Sequence, residues 1–474
     1  MKRTCVLLLV AACTGGSSSG NETSNDPVAH DDHLQTPEDK SLSLKSAILS
    51  NDENASNRYL SIVSKPMHGT VSSSYGDDYV YYPEIGYHGP DHFEYQIGQS
   101  TASVDIDVQS DGIPYERGVL VDGGPAISLV TGDLNGDGKV DLAAIDTETH
   151  SVVAMLNRSM PGNYQFDVAR FEGGHAPASL VLSDVDGDGK LDVVTAAGTD
   201  GIVVMRNTTA NGTLSFAAPV LLAAGNATSV TTGDIDQDGH PDLISTDKGA
   251  NQLIIRLDRS TPGTIAFDQA YAFATAKGPI GVQAVDIDHT GGLDVVVLCE
   301  TDAALSLFSN ATAIGDQVPA FAARVDRETS AQPGQLLSGD LDGDGSPELV
   351  VVQPQDSTLR VFNNTGSTFA GARVDPLDIT RPTGAGIVDL DHAGGLDLVV
   401  GYGDAIEQLT SGASYSLTGV EARVGSPTGD LAPAAASTIL QVELDGVAPP
   451  EIVIASDHDA FTQGKQGTML LYGD

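Results

Sequence analysis

Short, unbroken apolar runs alternate with acidic, glycine-bearing loops along most of this chain. The runs read Leu142-Ala143-Ala144-Ile145, Val193-Val194, Leu243-Ile244, Val295-Val296-Val297-Leu298, Leu349-Val350-Val351-Val352, Leu398-Val399-Val400 and Ile452-Val453-Ile454. Runs this short, rich in β-branched residues and bounded by Gly and Asp, predict strands covered on both faces rather than helices. A second apolar strand follows each after a polar turn, as in Val152–Leu156, Ile202–Met205 and Leu253–Leu257. A less regular stretch, such as Tyr164–Phe171, then leads to the next loop. With the strand before the loop, each repeat holds about four antiparallel strands, the unit of a β-propeller blade.

The loops open at Asp133, Asp184, Asp234, Asp286, Asp340, Asp389 and Glu443, at intervals of 51, 50, 52, 54, 49 and 54 residues. Seven copies at so regular a period predict a repeat architecture, and the fold class is all-β: a seven-bladed propeller over residues 113–474. The seventh repeat ends at Asp474 without an outermost strand. Before the first loop an orphan segment, Tyr115–Gly124, resembles the outer strand Phe166–Gly174. This segment is expected to complete the seventh blade and close the ring, which removes exposed sheet edges.

Each loop concentrates oxygen donors. Positions 1, 3, 5 and 9 supply side-chain oxygens, position 7 a backbone carbonyl, and a glycine at position 6 permits the tight turn that lets them converge. Ca²⁺ takes six to eight such ligands, whereas Mg²⁺ prefers a small octahedron largely filled by water. Four loops satisfy the pattern. The first offers Asp133, Asn135, Asp137 and Asp141 with the Lys139 carbonyl; the second offers Asp184, Asp186, Asp188 and Asp192 with Lys190. The third offers Asp234, Asp236, Asp238 and Asp242 with His240, and the fifth offers Asp340, Asp342, Asp344 and Glu348 with Ser346. Two loops are weaker: Asp286, Asp288 and Asp294 with Thr290 at position 5, and Asp389, Asp391 and Asp397 with Ala393 there. The last, Glu443 to Glu451, lacks both the position-5 ligand and the position-6 glycine and is expected to hold no ion. About four Ca²⁺ ions are therefore expected, acting mainly as structural staples.

The run Gly132-Asp133-Leu134-Asn135-Gly136-Asp137-Gly138-Lys139-Val140-Asp141, followed by apolar strands, resembles the FG-GAP/VCBS repeat. That repeat builds the seven-bladed propeller of integrin α subunits and of many bacterial surface proteins. The resemblance implies the same fold for residues 113–474 and calcium at the matching loop positions. It says little about activity, since one fold hosts many functions.

The N-terminus reads as a secretory signal: Lys2 and Arg3, then an apolar core, then Val10-Ala11-Ala12-Cys13. The last four residues resemble a bacterial lipobox, which implies a lipidated Cys13. Residues 14–36, rich in Gly, Ser, Asn and Asp, read as a flexible tether. Within it His30-Asp31-Asp32-His33 has a transition-metal spacing, but its place in the tether favours a solvated polar run. Thr14 after the cysteine leans toward the outer membrane. No apolar stretch reaches the eighteen residues that would span a bilayer. Residues 37–110 alternate in β fashion between turn signals and resemble bacterial cadherin-like or Ig-like modules. The default role of such a sandwich is a spacer, and its Glu38, Asp39 and Asp52 read as surface acid before they read as calcium ligands.

Charge narrows the partners. The formal net charge is −42, and the four good loops hold fifteen carboxylates. Four Ca²⁺ ions offset eight charges, so the loaded protein stays acidic. Nucleic acid, whose binders need basic surfaces, is excluded as a partner, and contact with an anionic membrane falls to the N-terminal lipid alone. Of three cysteines, Cys5 and Cys13 lie in the signal, leaving Cys299 as a core residue and no disulfide. There is no Gly-x-Ser-x-Gly elbow, zinc-type His cluster or phosphate-cradling loop, and Trp is absent. The pattern thus favours a lipid-anchored, calcium-stabilised envelope or surface protein that recognises an extracellular protein or glycan. The alternatives are a secreted carbohydrate-active enzyme of the polysaccharide-lyase kind, or a structural part of an envelope assembly.

Overall fold

The computed structural model describes residues 26–473 apart from 38–40, 56–57, 75–77, 84–86, 88, 110–114, 122–125, 162, 365–368, 377–381, 390–394, 403–404, 411–417, 424–435, 447–449 and 457–467. The secretory signal, Cys13, Glu38, Asp39 and Asp391 lie outside the described residues. The chain divides into two compact units, Met1–Glu116 and Arg117–Asp474.

The second unit contains seven four-stranded antiparallel sheets. The first runs Ala126–Gly132, Asp141–Asp146, Ser151–Asn157 and Phe166–Glu172 from inside to outside. The next five repeat that order. In the seventh, Ala436–Val442, Glu451–Ser456 and Thr468–Gly473 are completed by Tyr115–Val121 from the start of the unit. The expected ring closure is therefore present.

The second strand of each described blade is the best covered. Asp141–Asp146, Asp192–Ala196, Asp242–Asp247, Asp294–Cys299 and Glu348–Gln353 are buried at every position. Their continuous apolarity follows from this, because each blade is packed between two others and neither face meets water. The core accordingly forms between blades: Leu142 and Ala144 of the first sheet pack with Val453 and Ala455 of the last. Cys299 is fully buried there, and burial pushes its thiol up to about 11. Burial of this kind keeps a cysteine inert.

The first unit is a two-sheet sandwich. Asp32–Pro37, Ser100–Gln109, Gly89–Ile97 and Leu60–Ile62 form one sheet; Leu42–Ser43, Asp78–Pro83 and Gly69–Ser74 form the other. Its core is aromatic, centred on Tyr81, Phe93 and Tyr95. A Cβ on Gly69 would stand 2.5 Å from the Tyr81 ring, so glycine is what lets the two strands close. The tether expected over 14–36 ends earlier than expected. Asp32–Pro37 pairs in parallel with the last strand, Asp32 opposite Val104, so the His30–His33 run enters the domain. The lone helix among the described residues is a single turn, Lys45–Ile48.

Candidate metal centres

The acidic loop joins the first and second strands of every sheet, so all seven copies lie at the same end of the ring. Their geometry is set by backbone amides. In the second loop Asp184 accepts from Asp188 N–H at 3.0 Å and Gly189 N–H at 2.8 Å. Asp186 accepts from Asp188 N–H at 3.2 Å, and Asp188 from Lys190 N–H at 3.0 Å. Equivalent bonds recur around Asp133, Asn135 and Asp137, around Asp234, Asp236 and Asp238, and around Asp340, Asp342 and Asp344. The turn needs left-handed backbone at position 6, where Gly138, Gly189, Gly239, Gly291 and Gly345 all have φ between +84° and +93°. L-residues pay a steric cost in that region, and glycine does not.

Carboxylates converge as expected in three of the strong loops. Asp184, Asp186 and Asp192 bring ligand oxygens within 4.8 Å of one another, as do Asp234, Asp236 and Asp242, and Asp340, Asp342 and Asp344. The first loop presents Asn135 where the others have Asp, buried and accepting from Asp137 N–H at 2.9 Å. The weaker fourth loop also gathers Asp286, Asp288 and Asp294. In the sixth, Asp389 is tied by its backbone to the Gln441 amide, at 2.7 and 2.8 Å, and Asp397 is buried. The seventh departs from expectation: Glu443, Asp445 and Glu451 come within 4.8 Å despite the missing position-5 ligand. Glu443 closes its turn as Asp133 and Asp340 close theirs, accepting from the position-4 N–H, here Gly446 at 2.7 Å.

Two buried oxygens support the fit to a cation. Asp236 Oδ2 and Asp286 Oδ1 lack hydrogen-bond partners, and Asp236 is 0% exposed. The nearest cation to Asp236 Oδ2 is Arg259 Nη2 at 3.6 Å, outside hydrogen-bond reach. A buried, unpaired carboxylate oxygen is costly, and a hard, oxygen-seeking ion at the loop centre would satisfy it. The residues present fit Ca²⁺.

Position 9 does more than offer a ligand oxygen. Asp192 takes Val185 N–H at 3.0 Å on one oxygen and Asn207 N–H at 2.7 Å on the other. Asp141 does the same with Leu134 and Asn157, Asp242 with Ile235 and Asp258, Asp294 with Ile287 and Asn310, and Glu348 with Leu341 and Asn364. This latch fixes the loop to the end of its own blade's third strand. Burial is the main reason these carboxyls titrate high, reinforced by the neighbouring acids of each loop and opposed by the amides. Asp192 is raised to about 6, and Asp242 and Glu348 to about 7.

A further set of residues escaped sequence reasoning. Asn207 Nδ2 donates to the Leu134 carbonyl, position 2 of the preceding blade's loop, at 2.9 Å. Asn157 reaches Leu444 at 2.8 Å, Asn310 reaches Ile235 at 2.9 Å, and Asn364 reaches Ile287 at 2.9 Å. Each asparagine clasps its blade to the loop of the preceding blade, and Asn157 does so across the closure. The available signal was an asparagine 15 or 16 residues beyond the last loop carboxylate, at the end of an apolar strand.

Comparison with known proteins agrees with this architecture. The FG-GAP-like repeat matches residues 133–195, 184–245, 234–297 and 340–400. The bacterial Ig domain matches residues 24–109, which includes the strand that the tether was expected to occupy. No curated protein matches the chain. Among solved structures, BBS1N in complex with ARL6DN, soaked with lead, aligns at TM-score 0.52 and 11% identity over 76% of this chain and 98% of that one. An Agrocybe aegerita lectin specific for non-reducing terminal N-acetylglucosamine aligns at TM-score 0.46 and 14% identity, over 72% of this chain and 92% of that one. At such identities the first likeness shows the fold alone. The chain is thus a β-propeller built of FG-GAP-like repeats, preceded by a bacterial Ig domain.

Proposed function

We propose that this chain is a calcium-stabilised recognition propeller of the bacterial cell envelope, anchored by a lipid on Cys13, that binds a protein or glycan outside the membrane. The observation that carries the reading is the employment of the loop carboxylates. Asp192, Asp242, Asp294 and Glu348 each bind two backbone amides and are buried. Groups committed in this way staple a corner; they do not face a substrate as an acid–base pair would. In the strong loops the side chains at positions 1, 3, 5 and 9 and the carbonyls of Lys139, Lys190, His240 and Ser346 would hold the ion. Calcium, when bound, supplies the positive charge that lets three or four adjacent carboxylates stay ionised together.

The staples leave the opposite end of the ring to carry the binding surface, formed by turns such as Thr147–His150 and Lys248–Asn251. Loops held on a rigid scaffold suit recognition. The lipid and the envelope location rest on the Val10–Cys13 run, and the outer membrane is the expected destination.

The test is binding of the full, calcium-loaded chain to a glycan array and to purified envelope proteins, with a chelator arm. A defined ligand, lost when surface turns are changed but not when Cys13→Ser frees the protein from the membrane fraction, is expected. Absence of any ligand together with turnover of a polyuronide would overturn the reading in favour of an enzyme.

A further inference from the structure

The Ig-like unit holds a second acidic cluster that shares no residue with the propeller loops. Asp32 begins the strand Asp32–Pro37 and is 5% exposed, yet its Oδ2 is buried without a hydrogen-bond partner. Asp52, half-buried on the turn that follows the Lys45–Ile48 helix, lies near enough for its charge to act on Asp32. Between them stands the fully buried Tyr95, whose hydroxyl lies 2.9 and 3.0 Å from the two Asp52 oxygens and 3.0 Å from the His30 carbonyl. His30 N–H donates to Asp52 Oδ1 at 2.8 Å. Tyr95 has one proton to give, shared among Asp52, the carbonyl and Asp32, and Asn51 also favours the ionised Asp32 carboxyl; Asp32 Oδ2 itself has no hydrogen-bond partner.

Burial, then the Asp52 charge, drives the Asp32 carboxyl up to about 7, and burial raises Asp52 as well. Two carboxylates, a carbonyl and a phenol make an all-oxygen donor set, the kind that hard divalent cations select. We propose that this cluster is a calcium site of the Ig-like unit, with Asp32 Oδ2 and Asp52 as its carboxylate ligands and Tyr95 as the positioning residue that orients Asp52. Water completes the coordination, since Asp52 is open to solvent on one side. The site ties the strand Asp32–Pro37 to the turn at Asp52, joining the unit's first strand to its core through the ion.

The absence of Trp makes tyrosine the chain's only strong near-ultraviolet absorber, and Tyr95 touches the site. Terbium, a luminescent stand-in for calcium, therefore reports on it. The experiment loads the full chain with Tb³⁺, excites the tyrosine band and counts bound Ca²⁺ by mass spectrometry of the metal after gel filtration. Wild type is compared with Asp32→Asn, Tyr95→Phe and Tyr164→Phe, the last removing the tyrosine beside Glu451 of the seventh propeller loop. Asp32→Asn should bind one Ca²⁺ fewer and lose a tyrosine-sensitised component. Tyr95→Phe should lose the same component, and Tyr164→Phe should retain it. In chelator Asp32→Asn should melt no lower than wild type, because an amide removes the repulsion between two neighbouring carboxylates.

An unchanged ion count and unchanged emission in Asp32→Asn would overturn the proposal and leave a shared proton as what holds the pair. Should Asp32→Asn fail to fold, Tyr95→Phe decides: an unaltered Tb³⁺ spectrum refutes the site, and loss of a component supports it. Loss of the propeller ions in other variants would not bear on this outcome.

Discussion

The second and third blades carry nearly the same loop, yet they are satisfied differently. In the second, Asp186 Oδ2 receives Gly263 N–H at 2.8 Å from the next blade's outer turn, and Asn207 clasps Leu134. In the third, the corresponding turn of the following blade bonds the Asp236 backbone instead, Gly315 N–H to its carbonyl at 2.6 Å, and Asp236 Oδ2 is left without a hydrogen-bond partner, 3.6 Å from Arg259 Nη2. The clasp position of the third blade is Asp258, not asparagine. Its Oδ1 accepts from Ser260 N–H at 2.9 Å, as Asn207 Oδ1 accepts from Thr209 N–H at 2.8 Å. Its Oδ2 therefore occupies the place of a donating amide nitrogen, and it is buried without a partner, 3.9 Å from His240 Nδ1. In the third blade, unlike the second, two buried oxygens accept no hydrogen bond and face only Arg259 and His240 beyond hydrogen-bond reach. Calcium is thus expected to matter more to the third blade than to the second.

Chelation should give the largest effect. An ion bound only by the folded state at 100-fold excess over its Kd contributes about 2.7 kcal/mol, so losing several should lower the melting temperature steeply. The comparison predicts that Asp236→Asn will be costly in calcium and nearly neutral in chelator. An equal cost in both conditions, read by thermal melts, would break the account of Asp236 Oδ2 as an ion ligand. The pH profile sharpens the same point. Asp192 and Asp242 have folded-state pKa values raised from 3.8 to about 6 and about 7. A raised folded value means the native state binds protons more tightly than the unfolded chain. Without metal, their contribution is fully present below about pH 4 and is lost as pH rises through about 6 to 7. With calcium the carboxylates are held ionised, and the slope should flatten or reverse. Metal-free melting temperatures that climb across that window would contradict the shifts.

Moving the defect should come next in size. Asn207→Asp transplants the unpaired oxygen into the second blade and removes the bond to Leu134. Leaving a buried polar group unsatisfied costs about 1–3 kcal/mol, and urea melts in saturating calcium should show a loss in that range. The converse, Asp258→Asn, supplies an amide donor at the site homologous to Asn207 and should stabilise by about 1 kcal/mol. No gain would mean that Asp258 Oδ2 already holds a proton shared with a neighbour.

The contrast between these blades also marks what the sequence could convey. The period of about fifty residues and the doubly buried strands were legible because every blade repeats them, and a repeated apolar run needs no tertiary knowledge to recognise. The first strand of the Ig-like unit was not. Asp32, Leu34 and Thr36 are its buried positions, and with only one of them apolar its alternation looks like a polar tether. The latch and the clasp were hidden for another reason. An asparagine near the end of a strand has no directional signal until the neighbouring blade's carbonyl is in place, and a position-9 carboxylate reads as a ligand whether or not amides also claim it. The seventh loop was set aside for its missing position-5 ligand and position-6 glycine, because spacing cannot show that Glu443, Asp445 and Glu451 converge without them.

The smallest expected effect lies in the loop backbone. Position 4 is left-handed in both blades, with φ of +70° at Gly187 and +56° at Gln237. Glycine enters that region without steric cost, whereas a side chain there costs about 1 kcal/mol. Gln237→Gly should relieve that strain, but it also frees the unfolded chain, which offsets part of the gain. The net is a stabilisation of a few tenths of a kcal/mol in chelator, where the loop alone must hold the turn. In calcium the gain should shrink, since the ion fixes the same backbone. A gain of equal size in both conditions would show that the ion does not order position 4. The third loop would then owe its shape to the peptide, as the second does, and the distinction between the two blades would narrow to the pair Asp236 and Asp258.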